Sequence, residues 1–200
     1  MGLFVACNTP SSSKFKRTKK EPSKQIKNSY EQRVSNYQDS VSAVYASGAN
    51  DVLEKKDVST STKLDFFPPN QKFRIRANFI RIEGGESFEM ATSTDRLPVY
   101  TPYGKLSFKL DNKDLELTLY QSKDYPESLF CPFKDLTNGN ESYGAGRYLD
   151  FDLADTIHPI VDFNYCYNPY CAYNPNFSCP IPPVENHLKV SIEAGVKKWH

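Results

Sequence analysis

The residues able to do chemistry gather in two stretches of this chain. The first runs from Asp135 through Thr137, Gly139, Tyr143 and Gly146 to Arg147. Thr, Tyr and Arg supply donors suited to an anionic or polyol ligand, and a guanidinium in particular suits a carboxylate or phosphate. The two glycines permit tight turns and a close approach of backbone to ligand. The same residues admit a plainer arrangement, in which Asp135 and Arg147 pair with each other and pin the loop between strands. The second stretch, from Phe163 to Gly195, is rich in proline and holds Cys166, Cys171 and Cys179 with the polar side chains Asn164, Asn168, Glu185 and Asn186. In a rigid loop such Asn and Glu side chains commonly bond backbone groups that lack sheet partners. Two polar loops in one small domain also suggest a shared pocket. The candidate ligand-binding residues are therefore Asp135, Thr137, Tyr143, Arg147, Asn164, Glu185 and Asn186.

The cysteine spacing C-x4-C-x7-C lacks the tight C-x2-C pair of a zinc knuckle, and the only nearby histidine is His187. No metal or cofactor is assigned on this signal. A nucleophilic thiol would need a base, and His158, His187 and His200 fall into no recognisable arrangement with a cysteine. Paired carboxylates for glycosidase-like chemistry would be Asp135 or Asp150 with Glu185, although no spacing selects them. Three functions compete. One is a domain binding a small polar or anionic ligand. Another is a hydrolase-type enzyme acting through Asp135, Arg147 and Glu185 or through a Cys. The last is a structural scaffold without a site.

The elements that must position these residues are mostly strands. Ile26, Tyr30, Val34, Tyr37, Val41 and Tyr45 recur at helical spacing, so residues 25–48 form an amphipathic helix ending at Gly48, expected to lie on a sheet. From Lys72 to Phe79 apolar and polar residues alternate with the period of a half-buried strand, and the pattern breaks at Phe79-Ile80, as a bulge would break it. Glu83-Gly84-Gly85-Glu86 is read as the turn of a hairpin into Ser87–Thr92. Lys105–Leu110 and Leu115–Tyr120 make a second alternating pair. Ser128–Phe133, Arg147–Leu153, Ile157–Asn164 and Leu188–Ile192 are the other strand candidates. Short strands without crossover helices imply a mainly β domain over residues 64–198, an antiparallel barrel or sandwich with one N-terminal helix.

The formal net charge of +1 offers no general field for nucleic acid. Basic residues concentrate between Lys14 and Lys27, against Glu21 alone, in a polar segment that reads as a tether. Phe4-Val5-Ala6-Cys7 resembles the end of a bacterial lipoprotein signal, in which the Cys is lipidated. Met1 to Ala6 is too short for a complete signal, so residues 1–24 are read as a truncated lipoprotein signal and basic tether. The expected setting is the periplasmic side of the cell envelope, with the membrane as partner through a lipid on Cys7; without processing of Cys7 it is cytoplasmic. No run of apolar residues is long enough for a membrane-spanning helix.

Two long motifs carry a family resemblance. One is Phe133 to Asp150, with Asp135, Thr137, Gly139, Tyr143, Gly146 and Arg147. The other joins Asp162-Phe163-Asn164 to Asn168-Pro169 and Cys171-Ala172-Tyr173, then Cys179-Pro180 and Pro182-Pro183 to Glu185-Asn186. Together with Phe66-Phe67-Pro68 and Pro98–Leu110 they resemble a domain-of-unknown-function (DUF) family, number 1684, over residues 28–197. The resemblance brings no established activity. It implies a lipoprotein for some members, and it singles out Cys171 and Cys179 as the cysteine pair of the pattern. In an exported protein that pair would form a disulfide, worth up to ~2–3 kcal/mol for so short a loop. The implied order is a bridge or buried thiols first, a metal second and a nucleophile last.

Overall fold

The computed structural model describes residues 24–199. Cys7, the tether and His200 lie outside the described residues, and the side chain of Ile26 is not described.

The helix is present as α1 (Lys24–Ser47), and Gly48 ends it at φ +70°, a left-handed conformation that glycine adopts without strain. Tyr30, Val34 and Tyr45 are buried along one face. That face does not find a sheet beneath it. It lies on the segment between Asp162 and Tyr173. The Tyr30 hydroxyl donates to both oxygens of Asp162 at 2.8 and 2.9 Å, and the rings of Tyr37 and Tyr45 pack on Tyr165 and Tyr173 at 4.8 and 4.9 Å. Buried tyrosines need partners for their hydroxyls, and a polar, aromatic segment provides them where an aliphatic sheet face would not.

Eight strands follow: β1 (Arg74–Arg76), β2 (Asn78–Arg81), β3 (Phe88–Glu89), β4 (Val99–Leu110), β5 (Lys113–Ser122), β6 (Ser128–Phe133), β7 (Arg147–Asp152) and β8 (Ile160–Asp162). All pairings among them are antiparallel. The larger sheet has the order β2-β4-β5-β6-β7 with β3 also on β4, and β1 pairs with β8 in a separate two-stranded sheet. The larger sheet does not close into a barrel, and the two sheets face each other as in a sandwich. The break in alternation at Phe79-Ile80 is not a bulge: β2 keeps continuous register with β4 through both residues, and Ile80 is exposed. The sheet changes two residues earlier, at Ala77, where Arg74–Arg76 pairs with β8 and Asn78–Arg81 with β4. The bulge falls instead between Pro102 and Gly104 in β4. The expected hairpin through Gly84-Gly85 is likewise replaced, since β2 and β3 each pair with β4. The β4–β5 hairpin is where expected, although Lys113 and Asp114, read from the sequence as part of a four-residue turn, already pair in the ladder. Asp111 and Asn112 turn it with φ of 51° and 60°, the handedness that two-residue hairpins require.

The core fills the space between the sheets with Leu106, Leu117, Leu129, Phe133, Val161 and Phe163. The ring of Phe163 lies 5.2 Å from Phe133 and 6.0 Å from Phe108, which ties the β8 side to the larger sheet. Leu188–Ile192 contributes to this core without forming the expected strand. Its backbone is held by separate bonds, Leu188 N to Lys134 O and Leu136 N to Val190 O. The last turn of this run is Gly195, at φ +73°; a Cβ there would lie 2.3 Å from the Cys166 sulfur.

Candidate functional site

The first motif is built around a buried ion pair. Arg147 begins β7 on its core side, and its Nη2 lies 2.8 Å from Asp135 Oδ2, with both side chains wholly removed from solvent. The terminal guanidinium nitrogens also serve the C-terminal run: Nη2 donates to Ile192 O at 2.8 Å, and Nη1 donates to Ala194 O and Val196 O at 2.5 and 3.1 Å, while Nε is buried without a hydrogen-bond partner among the described residues. Asp135 Oδ1 accepts from Thr137 N, Thr137 Oγ1 and Ile192 N at 2.9, 2.7 and 3.1 Å. Residues 192–196 have no sheet ladder, so their carbonyls need other donors, and a guanidinium is the side chain with most to offer. Rings of Phe67 and Phe133 flank it at 5.8 and 5.6 Å. Asp135, Thr137 and Arg147 are thus brought together, as a pin through the fold and without access to solvent.

Asn164 and Asn186 do similar work elsewhere. Asn164 accepts from Asn70 N at 2.8 Å and donates to Asn70 O and Tyr30 Oη, both at 2.9 Å, which fastens α1 and the 70s turn to the end of β8. Asn186 enters the larger sheet where β5 and β6 separate. The register Tyr120↔Phe130 would place Thr118 opposite Pro132, and a proline cannot complete that ladder. The Asn186 amide fills the gap: it accepts from Thr118 N at 2.7 Å and donates to Thr118 O and Pro132 O at 2.9 and 2.8 Å. Glu185 beside it is exposed, and one carboxylate oxygen accepts from Tyr120 Oη at 2.8 Å.

The two motif loops meet at Tyr143 and Cys171. Tyr143 Oη stands 3.8 Å from Cys171 Sγ, and both residues are half-buried. The short 3-10 turn Tyr170–Ala172 orients Cys171. Its N–H donates to Cys179 Sγ at 3.1 Å, so the buried Cys179 sulfur is seated against the start of that turn. Cys179 is held from behind by Ser93, through Cys179 N to Ser93 Oγ at 3.1 Å and Ser93 N to Cys179 O at 2.9 Å. Both cysteines are free thiols, as are the buried Cys131 and Cys166. Hydrogen bonding from the Cys179 thiol holds the Cys171 thiol well below its ordinary range, to about 6; burial opposes this, and the Tyr143 and Ser93 hydroxyls reinforce it. Cys179 is pushed up correspondingly, first by the hydrogen it shares with Cys171 and then by burial. The pair loses one proton in the mildly acidic range and retains the second well above neutrality. Cys131 and Cys166 are pushed up chiefly by burial, with the Asp150 charge adding to it at Cys131 and the Arg147 charge opposing it at Cys166, which reaches about 11.

A hydroxyl donor beside a half-buried thiol favours the thiolate, which is the nucleophilic form, without a histidine base. Among the described residues no three His, Cys, Asp or Glu side chains are grouped as a metal ion needs. His187 Nε2 lies 3.1 Å from Pro182 O, and His158 is on the surface. Ser93, with Thr92 and Ser178 next to it, is absent from the sequence expectations. It lies more than eighty residues from Cys179 along the chain, and the two segments are brought side by side by the bridge Thr92↔Pro180 with the bonds Ser93 N to Cys179 O and Ile181 N to Ala91 O.

The family model for DUF1684, described as a protein of unknown function, matches residues 60–197. The chain belongs to this family. The matched span contains both motif loops and both cysteines of the cluster, and it leaves α1 outside, shorter than the span expected from residue 28. The fold is also that of an uncharacterised protein of Haloarcula marismortui solved by solution NMR. The two share 31% identity and a TM-score of 0.66 over 87% of this chain and 97% of that one. No curated protein matches the chain.

Proposed function

We propose that this DUF1684 domain is a thiol-centred domain of the cell envelope, in which the loops meeting at Tyr143 and Cys171 hold a small polar ligand against the Cys171 sulfur. The observation that carries this reading is the approach of Tyr143 Oη to Cys171 Sγ, 3.8 Å, between residues from separate motifs. The other polar residues of those motifs support the site from behind. Asp135 and Arg147 fix the first loop and the C-terminal run, Asn186 fixes the start of the last segment, and none of the three has a side-chain donor or acceptor directed at solvent in a way a ligand would use. A hydrolase-type activity, on this reading, would use Cys171 rather than Asp135, Arg147 and Glu185. Anchorage through Cys7 belongs to the same proposal and rests on the sequence alone; labelled palmitate incorporated by the natural gene product, and lost in Cys7→Ser, is its test.

Limited alkylation tests the site. With less than one equivalent of iodoacetamide near pH 6, Cys171 is expected to take the label ahead of Cys131, Cys166 and Cys179. Label spread evenly, or found only after unfolding, would leave the domain a scaffold. That second reading is favoured by one observation: Asp135, Arg147, Asn164 and Asn186 all spend their hydrogen bonds inside the fold.

A further inference from the structure

Cys179 has no role in holding a ligand, yet among the described cysteines it is the one seated directly against Cys171. It is buried, its sulfur accepts the Cys171 N–H at 3.1 Å, and its own backbone is clamped by Ser93 on both sides. Seven residues lie between the two cysteines, and the intervening chain turns at Asn174–Phe177 on the protein surface. The other two described cysteines are placed differently. Cys131 faces the core from β6, and Cys166 Sγ is fixed on Ala194 O at 3.5 Å beneath Gly195. One thiol of the pair is reachable and the other waits behind it, which is the division of labour between an attacking and a resolving thiol.

We infer that Cys171 and Cys179 form an exchanging dithiol whose substrate class is a disulfide, of low molecular weight or on an exposed peptide. This rests on the reading of Cys171 as the reactive thiol. In the first step the Cys171 thiolate attacks one sulfur of R–S–S–R, forming Cys171–S–S–R and expelling R–S⁻. In the second, Cys179 gives up its proton, attacks the Cys171 sulfur and expels the second R–S⁻. The dithiol is oxidised to a Cys171–Cys179 disulfide, the substrate is reduced to two thiols, and the two protons of the dithiol end on the two leaving groups. Tyr143 is the positioning residue, since its hydroxyl faces the Cys171 sulfur while that sulfur carries charge.

Oxidised glutathione is the probe. The full chain is incubated with it near neutral pH, quenched with acid, alkylated and cleaved with chymotrypsin, which cuts after Tyr173 and Phe177 and so separates the two cysteines. The expected product is a Cys171–Cys179 linkage with loss of two hydrogens and no retained glutathione. Cys179→Ser and Cys179→Ala are expected to stop at a single glutathione on Cys171, and Cys171→Ser to take up none; circular dichroism establishes that each variant is folded. A wild-type chain that stays glutathionylated at Cys171, or one that links Cys171 to another cysteine, overturns the resolving role and leaves the reactive thiol standing. If Cys171 neither alkylates preferentially nor accepts glutathione, both readings fall together.

Discussion

Replacing Arg147 by methionine separates a pin from a binding residue. Methionine keeps much of the apolar stem between the Phe67 and Phe133 rings, 5.8 and 5.6 Å away, so packing changes little. What is lost is electrostatic. Asp135 stays buried without its counter-charge, and the carbonyls of Ile192, Ala194 and Val196 lose the guanidinium donors, Ala194 O keeping the Cys166 thiol. Removing one member of a buried, hydrogen-bonded ion pair typically costs about 3–5 kcal/mol, because the remaining charge is left uncompensated. A domain of this size has about 5–15 kcal/mol in all. With a urea slope of about 2 kcal/mol per molar, the midpoint should fall by about 2 M. Unfolding is followed by far-ultraviolet circular dichroism and by the fluorescence of Trp199, whose ring lies 5.8 Å from Tyr173. Adding Asp135→Asn to Arg147→Met should cost little more than the single change, since the uncompensated charge is then gone. A single variant within about 0.5 kcal/mol of wild type would refute the reasoning, because surface substitutions behave that way.

Two further expectations follow from the same contacts. Asn186→Ala leaves Thr118 N, Thr118 O and Pro132 O without partners inside the sheet, and should destabilise by about 3 kcal/mol in the same urea titration; a loss under about 1 kcal/mol would mean that β5 and β6 close the gap themselves. Tyr143→Phe removes a hydroxyl donor from Cys171 while leaving the ring, so the pH midpoint of Cys171 alkylation should rise and its rate near pH 6 should drop; an unchanged profile would remove Tyr143 from the site.

The sequence is most readable where local pattern and tertiary need coincide. The β4–β5 hairpin is legible because Asp111-Asn112 suits its turn and alternating residues suit its faces. Family membership is legible in the long motifs, and α1 in its apolar spacing. What lies beneath α1 is not, because Tyr30, Tyr37 and Tyr45 announce burial without saying whether a sheet or an aromatic loop accepts them. The departure at Phe79-Ile80 reads as a bulge although Ile80 is simply exposed on an unbroken β2, and the change of sheet at Ala77 leaves the alternation intact, so only the partners β8 and β4 reveal it. Leu188–Ile192 has the apolar residues of a strand, but its backbone partners come from the Lys134–Leu136 segment and from Arg147 and Asp135, which no local pattern reveals. The polar residues of the motifs are visible as a set. Their division into pins and a thiol cluster depends on burial, and Ser93 enters only through pairing across the chain.

The pH dependence of Cys171 alkylation is the most direct test, because its midpoint is independent of how easily the reagent reaches the sulfur. A thiol held down by donors is ionised above its lowered pKa and loses reactivity as pH falls through that value. The rate at Cys171, read by mass spectrometry between about pH 4.5 and about pH 9.5, a range that spans the ordinary thiol value of about 8.5, should therefore have its midpoint at about 6. A midpoint at about 8.5 or above would mean an ordinary or merely buried thiol, and would contradict the thiol-centred account.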